Sequence, residues 1–297
     1  MKRKYIFSTG AIGMIFMMLG QLSFSINDTL IKEIVIDSHN SLSVINLIFI
    51  RGLITTFLIL LYLSFYEKKN ILKIFKIKKY HQRGIYEVLT AICFFTGLIL
   101  LPVAEVYTLL MTNPFFVTIF AFIFLKEKVG IRRWLAVIVG FIGVIFVINP
   151  QNFNFNFLFI FPIIAAVFLT IRDIATKGIV TKSNSFEIIF ISSILMTLFS
   201  GIGSLFFELT FKIEYLPNLF ISSMFLTIAY LFSVLTIFYA PLSLTASCRY
   251  SVIVFGMLFG YLILNEIPSI NMIIGATIIS LSGLFVIKRE KDLGKIE

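Results

Sequence analysis

Charge is scarce in this chain of 297 residues: Asp, Glu, Lys and Arg together make up 13% of it. A soluble domain carries roughly twice that fraction, because charged groups solvate its surface, so a water-soluble fold is excluded. Cysteine is nearly absent too. Cys93 and Cys248 both lie inside apolar runs, which leaves no disulfide framework and no zinc-ligand spacing. The two histidines, His39 and His81, fall in connections without a metal-ligand neighbour. HExxH, GxSxG and a Gly-rich phosphate loop are missing as well, so an enzyme, a bound cofactor and ATP coupling are not expected. What is present in excess is apolar: 59% of residues are hydrophobic and 35 are Phe. The net charge of +10 does not indicate nucleic acid, because such binders set aromatics among polar residues on a water-facing basic surface.

A membrane helix needs about 20 mostly apolar residues. Ten runs qualify, at 5–26, 42–66, 84–101, 104–125, 132–149, 157–177, 187–207, 216–239, 243–264 and 269–287. Pro102, the asparagine-rich segment 150–156, Pro217, Pro241 and Pro268 mark connections. With the N-terminus placed inside, twenty Lys and Arg fall in inner segments, including Lys68, Lys69, Arg83, Lys126, Lys128, Lys177 and Lys182, against Lys32 and Lys212 outside. That imbalance predicts a multi-pass protein with both termini in the cytoplasm. Residues 67–83 intersperse Ile71, Leu72, Ile74, Phe75 and Ile77 with lysines, which predicts a short amphipathic helix on the inner leaflet.

The chain also repeats itself. Phe120-Ala-Phe-Ile-Phe-Leu-Lys-Glu127 and Phe259-Gly-Tyr-Leu-Ile-Leu-Asn-Glu266 each close an apolar run with Leu-x-Glu, and Ala136 and Gly275, then Gly143 and Gly283, follow at matching distances. The match lays spans one to five over six to ten. Five is odd, so the second copy enters from the opposite side. The expected fold is an all-α polytopic membrane protein with ten transmembrane helices in a 5+5 inverted repeat, one copy at 5–149 and one at 157–287, before a cytoplasmic tail at 288–297. Inverted repeats are a signature of secondary transporters, whose substrate site lies near the midplane.

These residues carry a resemblance. Asn27-Asp28 with Lys32, Arg51-Gly52, Leu101-Pro102-Val-Ala-Glu105, Asn113-Pro114, Leu125-Lys-Glu127 with Arg132-Arg133-Trp134, Ile171-Arg-Asp173, Arg249-Tyr250 and Asn265-Glu266 resemble paired EamA domains of the bacterial drug/metabolite transporter superfamily. They are most similar to the branch that includes S-adenosylmethionine uptake carriers. The second half departs from the family pattern at Ser251-Val252, where a proline is usual. The resemblance implies a carrier of organic metabolites in the bacterial inner membrane, with a small-molecule substrate and the lipid bilayer as partners and a monomeric or homodimeric state.

An ionisable group within a span costs roughly 2.5–3.5 kcal/mol on insertion scales and marks a functional position. Arg51 lies roughly 13 Å past the outer end of span two and Arg249 a similar depth past the inner start of span nine. Each contacts an anionic substrate group or neutralises a neighbouring acid. Asp28 reaches the depth of Arg51 and is either its salt-bridge partner or a proton-coupling carboxylate, and span one tilts, projects or breaks near Asn27-Asp28. Arg172 lies nearer the cytoplasm as a gate or a snorkelling cation. Asp173 and Lys177, spaced i, i+4 with the acid first, are expected to pair. Tyr107, Asn113, Tyr230 and Tyr250 complete the expected cavity, and Glu127 and Glu266 are expected to cap helices or anchor loops. A lipid-handling or non-transporting membrane protein is the alternative to a carrier.

Overall fold

The structure is a computed structural model that describes residues 9–37, 44–101, 103–148, 157–181, 183–206 and 213–292. The asparagine-rich connection 150–156, Pro102, His39, Lys182, Lys212 and the chain beyond residue 292 lie outside these. Every regular element among the described residues is helical. Long apolar stretches without water to satisfy their backbone groups have to bond internally, and a helix does so within one segment. The elements are α1 (Thr9–Asp37), α2 (Val44–Leu61, continued by a π turn over Tyr62–Tyr66), α3 (Ile71–Phe75), α4 (Lys78–Leu100), α5 (Val103–Leu110), α6 (Asn113–Phe124) and α7 (Ile131–Ile148). They continue with α8 (Ile160–Lys177), α9 (Ser185–Ser204), α10 (Leu216–Tyr239), α11 (Leu242–Thr245), α12 (Ser251–Leu264) and α13 (Ile270–Asp292). Six segments, 10–34, 45–66, 157–177, 185–204, 213–239 and 242–264, are long and apolar enough to cross a membrane, and 113–124 and 270–286 are shorter apolar helices.

Of the alternatives open to span one, a break at Asn27-Asp28 is not realised: α1 runs unbroken for 29 residues, about 43 Å at 1.5 Å per residue. Breaks occur instead in spans four and nine, at Met111-Thr112 between α5 and α6, and at the 3-10 turn Ser247–Tyr250 between α11 and α12. Pro114 and Pro217 sit in the first turns of α6 and α10, where a missing N–H costs nothing.

α1 packs against α10 and α12, α8 against α4, α5 and α6, α2 against α9 and α10, α4 against α9, and α7 against α13. The α7–α13 contact is made by glycines. A Cβ placed on Gly275 would lie 2.5 Å from the carbonyl oxygen of Gly143, so only hydrogen fits between the two backbones. Large apolar side chains cover the outside, Phe57, Phe122, Leu262 and Leu284 being 57%, 57%, 60% and 60% exposed. The interior holds an apolar core together with buried Ser, Thr, Asn, Arg and Asp. The exposed apolar side chains suit a lipid surround, which gives them no reason to turn inward.

Two local geometries recur along the chain. α4 ends at Leu101 with φ −134°, ψ 155° and an N–H bond to Gly97, while α10 ends at Ala240 with φ −133°, ψ 154° and an N–H bond to Thr236; a proline follows each in sequence. Lys126 and Asn265 are left-handed, at φ 53° and 54°. The next N–H groups, of Glu127 and Glu266, reach back six residues to Ala121 at 3.1 Å and Gly260 at 3.0 Å. Leu101 precedes Lys126 by as many residues as Ala240 precedes Asn265.

The lysine-rich end of the molecule is tied across its segments. Asn184 donates to both carboxylate oxygens of Glu67 at 2.9 and 2.7 Å, and Glu187 accepts from Tyr80 at 3.0 Å and pairs with Lys69 at 3.2 Å. Glu127 accepts from the N–H groups of Leu242 and Ser243 and from the Ser243 hydroxyl, anchoring the start of α11. At the opposite end Lys32 and Glu266 pair at 2.6 Å with both side chains about half exposed.

Candidate functional site

The breaks in spans four and nine bring polar residues to one place. Asn113 opens α6, and Arg249 lies in the 3-10 turn before α12. The Arg249 Nη1 donates to Asn113 Oδ1 at 3.1 Å, and the Asn113 amide donates in turn to the carbonyl of Ala166 and the hydroxyl of Thr170 on α8. The Arg249 Nη2 also forms a short ion pair with Asp173 Oδ2. Arg172 completes the hold on Asp173, its Nε and Nη2 donating to Oδ1 at 3.1 and 2.8 Å, while its Nη1 reaches Glu87 of α4 at 3.0 Å. Arg83, one turn before Glu87, pairs with it at 3.4 Å and donates to Thr176 and Ser192. Three guanidiniums and two carboxylates are thus buried together, none more than 9% exposed. Burial of that kind is tolerable only because each charge meets an opposite charge. The Arg249 Nε is buried with no hydrogen-bond partner among the described residues.

A second polar cluster lies where α1, α2 and α10 meet. Arg51 Nη1 donates to Asn27 Oδ1 at 3.1 Å, Ser222 donates to the same oxygen at 2.8 Å, and the Asn27 amide donates to Asp28 Oδ1 at 2.8 Å. Asn27 is 1% exposed, Arg51 is half-buried, and Asp28 is exposed. A carboxylate within an apolar span is costly against lipid and as a rule faces the bundle interior or a water-filled cavity. Tyr107, 41% exposed, lies within electrostatic reach of both Asp28 and Arg51. Tyr230 senses Arg51 on one side and Glu87, Arg83 and Arg172 on the other, which places it between the two clusters. An open groove of 630 Å³ between α2 and α10, lined by Leu53, Phe57, Leu216 and Phe220 among others, is apolar throughout and belongs to the lipid-facing surface.

An all-helical, lipid-facing scaffold whose interior charges cluster at broken helices narrows the comparison to membrane transporters, and the match is direct. Residues 11–149 match the model of the EamA-like transporter family. The S-adenosylmethionine uptake transporter of Rickettsia bellii is 29% identical over 285 residues, covering 95% of this chain and 96% of that protein. The pseudopaline exporter CntI of Pseudomonas aeruginosa is 24% identical over 179 residues, covering 60% of this chain and 61% of the exporter. One crystal structure superposes with a TM-score of 0.78 at 13% identity over 95% of this chain and 99% of that one, a likeness of fold alone. These relatives are transporters, and six segments of this chain are long and apolar enough to cross a membrane.

The expected site residues separate. Asn27, Asp28, Arg51 and Tyr107 share one cluster, Asn113, Arg172 and Arg249 share the other, and Tyr230 lies between. Tyr250 stands apart: it is fully buried against Val144 and Ile279, with its hydroxyl on the Val137 carbonyl at 3.3 Å. Asp28 and Arg51 are not an ion pair, since Asn27 holds the guanidinium and the carboxylate apart at either end of its amide. Asp173 does not pair with Lys177. Arg172 and Arg249 occupy its oxygens, and Lys177 donates to the carbonyls of Ile237 at 2.8 Å and Ala240 at 3.1 Å. Arg83 is no surface cation of the cytoplasmic side but a 1% exposed member of the buried network, and Glu87 joins it there unforeseen.

Proposed function

We propose that the chain is a secondary-active carrier that moves a small polar organic metabolite by alternating access between two five-helix halves, 5–149 and 157–287, arranged as an inverted repeat with both termini in the cytoplasm. Three regularities support the repeat: the matched helix ends at Leu101 and Ala240, the matched left-handed caps at Lys126 and Asn265, and the exchange of packing partners. α1 lies on α10 as α8 lies on α4, while α2 with α9 and α7 with α13 pair across the halves.

The observation that carries the reading is the polar Asp28–Asn27–Arg51–Tyr107 cluster beside a closed ionic network built where spans four and nine are interrupted. Such a cluster offers a polar solute groups of both signs at the depth where carriers bind. The uptake function of the Rickettsia relative makes S-adenosylmethionine the first substrate to try. Labelled S-adenosylmethionine should accumulate in proteoliposomes above the protein-free background, faster when the lumen is preloaded with unlabelled substrate. A ligand-dependent rise in melting temperature across a metabolite panel would identify a different substrate. Failure of every polar metabolite to shift the melt or to be transported would remove the carrier reading.

A further inference from the structure

The lysine-rich connection between spans two and three takes part in neither polar cluster. Lys68, Lys69, Lys73, Lys76, Lys78 and Lys79 are all exposed. Among the described residues only Lys69 of these six has a carboxylate within 4.0 Å, that of Glu187. The nearby acids are already spent, Glu67 on the Asn184 amide and Glu187 on Lys69 and Tyr80. Lys78 and Lys79 stand in the first turn of α4, where a basic side chain opposes the helix dipole. That placement costs the fold a little stability, so the reason for these cations lies outside it.

The connection is held in place while several of its apolar side chains stay uncovered. Ile74 is buried in the core and Ile71 packs beside it. Phe75 rests edge-on against Phe190, and His81 donates to the Phe75 carbonyl at 2.8 Å. Phe65, Tyr66 and Leu72 are nevertheless 76%, 78% and 74% exposed. Lysines that only fix the orientation of a chain need no apolar company. Water would reject these apolar groups and hydrocarbon would reject the ammoniums, whereas the boundary between headgroups and acyl chains accepts both.

We propose that residues 65–79 form a docking surface for anionic phospholipids of the leaflet at this end of the molecule, the lysine ammoniums taking the phosphates while Phe65, Tyr66 and Leu72 enter the acyl region. A free anion would leave those apolar side chains in water. An acidic protein segment fits less well, because the surface begins on the π turn that ends span two and so lies at the height of the membrane. The surface is also tied to α9. Asn184 caps that helix by accepting from the Phe186 N–H and donates its amide to Glu67, and Lys69 reaches Glu187 in the first turn. Lipid held here therefore steadies the packing of α2 on α9 and is readable as stability. The inference is independent of what the chain transports.

The test follows melting of the purified full chain in detergent as phosphatidylglycerol, or phosphatidylcholine with the same acyl chains, is added. Phosphatidylglycerol should raise the melting temperature and phosphatidylcholine should not, and 1 M salt should weaken the effect. A lysine at an anionic surface is worth roughly fivefold in affinity. The triple variant Lys73→Gln, Lys76→Gln, Lys79→Gln should therefore raise the half-saturating mole fraction of phosphatidylglycerol at least about tenfold, while arginine at the same three positions should keep it within about threefold. Lys128→Gln, Arg132→Gln, Lys288→Gln removes the same charge from exposed positions elsewhere and should behave as the wild type. Phosphatidylglycerol with a photo-crosslinking headgroup should label residues 65–79 of the wild type, which locates the surface without any variant. Equal effects of the two lipids, an equal loss in the second triple variant, or labelling confined to other segments overturns the surface. An equal rise with inorganic phosphate alone, or with an acidic peptide but not with the lipid, overturns it as well.

Discussion

The replacement Asp173→Asn tests the buried network most directly. It keeps the shape of the side chain and removes a charge from a position with no exposed surface. Arg172 loses the partner it holds at 2.8 and 3.1 Å but keeps Glu87 at 3.0 Å. Arg249 keeps only the amide oxygen of Asn113, at 3.1 Å. At an effective dielectric of about 20 a contact pair is worth roughly 4 kcal/mol, and breaking a buried pair by removing one partner costs roughly 3–5 kcal/mol. The variant should therefore lose stability on that order in detergent melting, with most of the loss located at Arg249. Adding Arg249→Gln removes the stranded cation and should return at least about half of the loss, since coupled neighbours are not additive. Adding Arg172→Gln instead should return less, because Glu87 is then left with Arg83 alone at 3.4 Å. The reasoning fails if Asp173→Asn melts with the wild type, or if the two double variants recover equally.

Other consequences can be read at single positions. Glu127→Ala removes three hydrogen bonds from the start of α11 and should cost about 0.5–2 kcal/mol in melting experiments, the range for a lost helix cap, while Glu127→Gln should keep part of it. Gly275→Ala forces a methyl against the Gly143 carbonyl at 2.5 Å and should destabilise by about 1–3 kcal/mol; a melt unchanged from wild type would mean that α7 and α13 do not touch there. Tyr250→Phe gives up only a 3.3 Å bond to Val137 and should leave ligand affinity within about twofold, so a large loss of affinity would place the hydroxyl in the substrate path.

Much of the site was visible in the sequence because charge is conspicuous in an apolar run: Asp28, Arg51, Arg172 and Arg249 stand out without any structure. Arg83 was hidden by company, since it follows the lysines of 68–79 and reads as one more topology cation. The signal that separates it is Glu87 four residues on, an opposite charge inside the following span. The same spacing misled at Asp173 and Lys177, because helix-surface pairing competes poorly with buried tertiary partners; two arginines reach Asp173 and two backbone carbonyls reach Lys177. Asn27-Asp28 left tilt, projection and a break open for span one; α1 continues through it, with Arg51 and Ser222 satisfying Asn27 from neighbouring helices. The break in span nine has no proline within it, so nothing local announces the 3-10 turn that carries Arg249.

The closed network holds three guanidiniums against two carboxylates, and that odd count has an electrical consequence. A charge carried all the way across a membrane exchanges about 2.3 kcal/mol with each 100 mV of potential, and a partial displacement exchanges the corresponding fraction. A conformational change that shifts this cluster along the membrane normal therefore carries gating charge of its own. Under the proposed alternating access, the equilibrium between the two access states would respond to voltage even when the transported molecule is electrically neutral, and the charge counted per transport cycle would belong partly to the protein and not only to its cargo.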